Sequence, residues 1–213
     1  MTLANQQSLY ENSFTANGLE SIRNDITLFS GLNFRLNSGE ILQVQGPNGS
    51  GKTSLIRILC GLVLADKGDI FWNEKNIHEN RHEFLKETTY IGHINGIKTE
   101  LTPIENINIT RALAVANNVS AIDALEKVDL AEYENIPAQK LSSGQRRRLA
   151  LTRLLITQAK LWILDEPLTS LDDAGKQLVK NMIAGHAASG GITVLSTHEP
   201  VDIDQIKMIK INL

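Results

Sequence analysis

Gly46-Pro47-Asn48-Gly49-Ser50-Gly51-Lys52-Thr53 matches the pattern G-x-x-x-x-G-K-[ST] in full. It decides the fold because it works only between two elements, a strand that enters and a helix that leaves. Both are legible beside it. Glu40-Ile41-Leu42-Gln43-Val44-Gln45 reads as a strand. Leu55, Ile56, Ile58 and Leu59 mark a helix that Gly61 would stop. The glycines let the backbone from Gly46 to Thr53 curl so that its N–H groups point at phosphate oxygens. The helix N-terminus adds a partial positive charge. Lys52 is placed to reach the β- and γ-phosphates, and the Thr53 hydroxyl to ligate Mg²⁺.

Further along, Leu161-Trp162-Ile163-Leu164 is a buried-strand run that ends in Asp165-Glu166. Ligands bind at the carboxyl ends of the strands in parallel sheets. An Asp-Glu pair alone is an ordinary surface turn; after this strand, downstream of a phosphate loop, it is a reactive pair. Asp165 then serves Mg²⁺, and Glu166 polarises the attacking water as general base.

The rest of the chain is consistent with such a sheet. Phe14 to Leu36 reads as antiparallel strands turning at Arg23-Asn24-Asp25, and Lys67-Gly68-Asp69 as a turn into a strand at Ile70-Phe71-Trp72. Helical patterns run from Ile104 to Val115 and from Ala121 to Leu130. A further helix carries Ala150, Leu151, Leu154 and Leu155 as one apolar stripe. A helical segment, Lys176 to Ala188, separates the acidic-ended strand from Ile192-Thr193-Val194-Leu195. Strand, helix, strand in this order implies a parallel sheet with crossovers. The expected fold is α/β: a mixed, mainly parallel sheet with flanking helices, an N-terminal antiparallel β region and an inserted α-helical subdomain.

The chain has 213 residues, which makes one domain with room for a sizeable core. Its net charge of -3 argues against a dedicated nucleic-acid binder, so no nucleic-acid partner is expected. The one cysteine, Cys60, cannot form an internal disulfide and reads as a small buried apolar residue. Met1 to Tyr10 lacks the basic start and apolar run of a secretory leader. No window approaches the ~18 apolar residues of a membrane span, so a membrane role requires a partner.

Leu141-Ser142-Ser143-Gly144-Gln145 precedes the last of the three helices, and with it the motifs form a set. Gly46 to Thr53, Leu141 to Gln145, Leu161 to Glu166, Ser170-Leu171-Asp172 and His198 occur in an order that resembles the ATP-binding cassette (ABC) ATPases, over essentially the whole chain. The pentapeptide resembles that family's Leu-Ser-Gly-Gly-Gln signature, with Ser143 in place of the first glycine. The resemblance implies one ABC ATPase domain. Its core would be RecA-like, about residues 1–93 and 158–213, with a helical subdomain at about 94–157. It implies ATP and Mg²⁺ as ligands, and two copies arranged head to tail around two ATP molecules. The loop, Asp165, Glu166 and His198 of one copy would then face Ser142, Gly144 and Gln145 of the other. Asp172 would help join the two sites, and His198 would contact the γ-phosphate.

Two positions depart from the family's common pattern. A glutamine usually follows the strand before the helical subdomain; aligning Tyr90-Ile91-Gly92-His93 there puts His93 in its place. Many members stack adenine on an aromatic residue, but here the position falls at Arg23 or Ile22. An arginine face could stack instead. The run Arg146-Arg147-Arg148 reads as a solvated helix face, as do His78 and His82 in their charged segment.

Within the family, the chain most resembles the ATP-binding subunits of bacterial cytochrome c maturation (haem export) systems. The resemblance rests on four features: the short end after the last strand, His93, Gly96-Ile97-Lys98-Thr99-Glu100-Leu101-Thr102, and the sequence around Ser142 to Leu151 and Leu161 to Pro167. It implies membrane-spanning permease partners and a peripheral place on the cytoplasmic face of the inner membrane. No C-x-x-C-H haem attachment motif is present. An exporter ATPase for another cargo is the alternative. A soluble ABC protein of ribosomes or DNA fits less well, because there is one cassette and no long heptad insertion between His93 and Leu141. A phosphate-loop GTPase lacks its N-K-x-D motif and leaves the signature unexplained.

Overall fold

The computed structural model describes residues 12–203 and 206–213; the leader-free reading of Met1 to Tyr10 lies outside them. In chain order the elements are β1 (Ser13–Arg23), β2 (Ile26–Asn37), β3 (Ile41–Gln45), α1 (Lys52–Leu59), β4 (Lys67–Trp72), β5 (Lys75–Asn76), α2 (Arg81–Lys86), β6 (Thr88–Ile91), α3 (Pro103–Leu113), α4 (Ala121–Glu126), α5 (Ser143–Ile156), β7 (Leu161–Asp165), α6 (Asp173–Ala188), β8 (Ile192–Thr197) and β9 (Met208–Asn212).

The strands divide into two sheets. One is antiparallel, in the order β2-β1-β4-β5. Asn24 and Asp25, at φ 49° and 61°, close the β1–β2 hairpin, as side chains that tolerate the left-handed region do. The other sheet is wholly parallel, in the order β6-β7-β8-β3-β9. Its strands alternate between two apolar faces, which is why they read as continuous hydrophobic runs. Leu42, Val44, Ile163 and Val194 face α1 and the antiparallel sheet. Ile41, Leu164 and Leu195 face α5 and α6, against Ala150, Leu151, Leu154, Val179 and Ile183. A third cluster joins α3, α4 and α5 through Ile107, Ala124, Leu125, Leu149 and Ile156. In the antiparallel sheet Phe14 packs against Phe34, Trp72 and Phe84, with ring centroids 5.8, 6.2 and 6.3 Å away, which docks α2.

Helix α1 closes where Gly61, at φ 65°, donates to Ile58 O and Leu62 donates to Arg57 O. Three local expectations need correction. Lys67 and Asp69 are already in strand β4, paired with Glu20 and Asn17, because a bulge in β1 absorbs the bend. Helix α4 stops at Glu126; Asp129 turns left-handed at φ 55°, and Val128 and Leu130 are buried through that turn. Leu155 leaves the stripe of Ala150, Leu151 and Leu154 and packs with the third cluster.

Candidate active site

Four neighbouring parallel strands deliver the site. In sheet order, β6 leads into His93, β7 ends at Asp165 followed by Glu166, β8 is followed by His198, and β3 feeds the phosphate loop. The side chains meet in the same order. His93 Nδ1 lies 3.7 Å from Glu166 Oε2, and His198 Nε2 lies 2.6 Å from Glu166 Oε1. His198 Nδ1 is 3.4 Å from Lys52 Nζ. The parallel register converts residues scattered along the chain into one row.

The loop is built to receive an anion. Helices α3, α4, α5 and α6 each carry an N-cap side chain, from Thr102, Ser120, Ser142 and Asp172. Helix α1 has neither a capping side chain nor an acid in its first turn. Its leading N–H groups lack intrahelical partners, and the helix end carries partial positive charge, so a phosphate is the natural cap. Gly51 at its start has φ 104°, a conformation open to glycine. Lys52 is only 5 % exposed and donates to Gly46 O at 2.7 Å and Pro47 O at 3.0 Å. The loop carbonyls thus hold its ammonium where a phosphate can take it over.

Arg23, Leu28, Asn48, Gly49, Gly51, Lys52, Thr53, Ser54 and Glu166 line a cleft of about 240 Å³ here. Arg23, not Ile22, reaches this cleft; the exposed Ile22 pairs its backbone N–H with Asp66. Glu166 and His198 also wall a second hollow of about 370 Å³, with Lys176 and Lys180 on its rim.

Asp165 is completely buried. Its Oδ1 accepts from Ser196 Oγ at 2.6 Å, and Ser196 Oγ in turn accepts from Glu166 N at 2.9 Å. Its Oδ2 is buried without a partner, a site that water on a divalent cation would fill. Glu166 has φ 51°, so the carboxylate is set by a backbone that a non-glycine residue adopts at a cost.

The signature turn lies elsewhere. Ser142 and Ser143 are exposed, and none of Leu141 to Gln145 lines the phosphate cleft. Ser142 Oγ accepts from Gln145 N at 3.1 Å while Gln145 Oε1 accepts from Ser142 N at 2.8 Å, a capping box that shapes the turn. A Cβ at Gly144 would come within 2.9 Å of Ser170 O, so the turn packs on the loop that carries Asp172. Asp172 caps α6 through Gly175 N, and Arg148 binds its two oxygens at 3.0 and 3.2 Å. The Gly175 bond first, then Arg148, holds this carboxyl below the usual range.

The arginine run is not a solvated face. Arg148 pairs with Asp172 and Asp129, and Arg147 is 3 % exposed, held among backbone carbonyls. The signal was present: Arg147 stands at helical spacing from Ala150, Leu151 and Leu154, all buried. His78 and His82 are exposed as expected, and Cys60 is buried.

Residues 29–169 match the family model described as ABC transporter. The cytochrome c biogenesis ATP-binding export protein CcmA of Nitrosomonas europaea is 51 % identical over 187 residues, covering 87 % of this chain and 88 % of that protein. The protein of the same name from Escherichia coli K12 is 42 % identical over 191 residues, covering 90 % and 91 %. Among solved structures, an ABC transporter ATP-binding protein from Pyrococcus furiosus superposes with a TM-score of 0.79 at 23 % identity, covering 94 % of this chain and 97 % of that one. A dimeric post-hydrolysis state of the ATP-binding cassette MJ0796, bound to ADP and Pi, superposes at 0.76 with 19 % identity, covering 87 % and 88 %. With half of its relatives' residues or nearly so, over most of their length, this chain belongs to the ABC transporter ATP-binding proteins and, among them, to the CcmA family of cytochrome c biogenesis export proteins.

Proposed function

We propose that this ABC transporter ATPase hydrolyses ATP at a site shared between two copies of the chain, and that the hydrolysis drives the haem-exporting membrane partners of cytochrome c maturation. The observation that carries the catalytic half is the row His93–Glu166–His198–Lys52 at four adjacent strand ends. The shared site is supported by the exposed signature turn, which lies outside the cleft lined by the phosphate loop of the same chain.

ATP lies along Gly46 to Thr53, with Arg23 beside the base. Lys52 exchanges its loop carbonyls for β- and γ-phosphate oxygens. Thr53 and Asp165 would hold Mg²⁺, which would neutralise charge on the phosphates. Glu166 takes a proton from water as the water oxygen bonds to the γ-phosphorus and the bond from phosphorus to the ADP oxygen breaks. His198, which lies 2.6 Å from Glu166, turns to the γ-phosphate, and His93 steadies the water. Ser142, Gly144 and Gln145 of the second copy close the γ-phosphate from above, and Asp172 joins the two sites.

In this reading residues of about 94–157 form the helical subdomain on the core of about 1–93 and 158–213, supported by the separate cluster around Ile107, Leu125 and Leu149. Among the described residues no helix is long and apolar enough to cross a membrane. Leu113, at 84 % exposed, lines a groove with Leu85 and Val115, an apolar surface suited to permease subunits at the cytoplasmic face of the inner membrane.

Glu166→Gln tests the reading in one strain. Turnover should fall at least about 100-fold with ATP affinity retained, because the general base alone is lost. Covalent c-type haem should disappear from cells carrying only this variant. Wild-type turnover removes Glu166 as base; lost turnover with normal c-type haem removes the cytochrome assignment.

A further inference from the structure

Arg147 is a buried charge that the reaction above does not use. A guanidinium has five N–H donors, and every one is placed. Nε donates to Pro167 O at 3.4 Å, Nη1 to Gly92 O at 2.8 Å and Asn95 Oδ1 at 3.0 Å, and Nη2 to Asp165 O at 2.9 Å and Glu166 O at 2.8 Å. The acceptors belong to two segments that the sheet brings side by side, one following β6 and one running on from the last residue of β7.

The bonds fall where the backbone most needs them. Asp165 O and Glu166 O flank the Cα of Glu166, and Ser196 Oγ accepts from the N–H between them at 2.9 Å. Glu166 has φ 51°, a left-handed conformation that is costly for a non-glycine residue and persists only where the surroundings over-determine it. On the other segment, Gly92 O and the Asn95 side chain bracket His93, and Arg153 donates to Asn95 O as well. Arg147 itself belongs to α5, the helix whose N-cap is Ser142.

We infer that Arg147 is the positioning residue for Glu166 and His93, tying the backbone of the catalytic base to the helix that begins at the signature serine. The inference rests on the proposed reading of Glu166 as base. The planar fork is essential to it. A lysine ammonium is a point charge with three donors, unable to span both segments.

Arg147→Lys and Arg147→Met in the full chain test this by ATP turnover, ATP binding and thermal melting. Expected is a kcat about 100-fold lower with KM and ATP affinity unchanged, and lysine no better than methionine. A lower Tm with wild-type kcat per folded molecule would overturn the inference, as would full activity in Arg147→Lys. If neither variant folds, Asn95→Ala decides, since it removes one acceptor of the same guanidinium. It should lower kcat about tenfold at unchanged KM, and an unaltered kcat overturns the inference. Glu166→Gln in the same assay separates the two failures. If Glu166→Gln turns over normally, the base reading and the positioning role fall together. If it is inactive while the Arg147 and Asn95 variants are active, only the positioning role falls.

Discussion

At the scale of the residue, the proposed function depends on which partners a side chain holds. Lys52 donates to Gly46 O and Pro47 O, bonds that the proposed mechanism exchanges for phosphate oxygens. A charged hydrogen bond of this kind contributes about 1.5–3 kcal/mol, so Lys52→Ala should weaken ATP binding roughly 10- to 100-fold in a direct binding titration. Equal affinity in variant and wild type would contradict the loop assignment. Lys52, Asp165 and Glu166 were legible as candidates because motifs are written in local spacing. The partners of Glu166 were less so. Ser196 meets Asp165 through register between strands β7 and β8, and Arg147 reaches the same turn from another helix. In a run of three arginines, charge suggests solvent; helical phase alone marks the middle one as buried.

At the scale of the element, the helices differ in what satisfies their N-termini. Ser142 and Gln145 complete a capping box within one chain, so the turn needs no γ-phosphate to form. Helix α1 lacks a side-chain cap, and in the proposed mechanism its N-terminus takes the phosphate. Helix α6 carries a different liability. His186 stacks flat on Trp162 with ring centroids 3.7 Å apart, and burial pushes its pKa down to about 4. The ring is therefore neutral in the folded chain at a pH where the unfolded chain, titrating near 6.5, has already bound a proton. Stability from this group is full above pH 6.5, falls as pH drops towards 4, and changes little below that. The loss amounts to at most about 3 kcal/mol. Urea unfolding between pH 7.5 and 4.5 should show this slope in the wild type and a shallower one in His186→Gln; parallel slopes would rule the histidine out. The ends of α4 and β4 escaped the sequence because a left-handed Asp129 and a bulge in β1 are set by burial of neighbours, not by local propensity.

At the scale of the whole molecule, the separation between the signature turn and the phosphate cleft makes one chain incomplete in the proposed mechanism. Subunit mixing tests it. Lys52→Ala breaks the loop half, and Ser142→Arg breaks the signature half. Each variant alone should be inactive, with Ser142→Arg still binding ATP. Mixed, they should recover about a quarter of wild-type turnover, because about half of the dimers are mixed and each holds one intact site of two. Full activity of Ser142→Arg alone, or no recovery on mixing, would sink the shared site. The sequence by itself determined the sheet, the loop and which groups are proposed as reactive, because strand runs, glycine spacing and strand-end carboxylates are local patterns. Only the tertiary structure decided that His93, Glu166, His198 and Lys52 stand in one row, that Arg147 is clamped beneath them, and that Ser142 faces away. Those are distances between residues far apart in the chain, set by register and packing, and no local pattern encodes them.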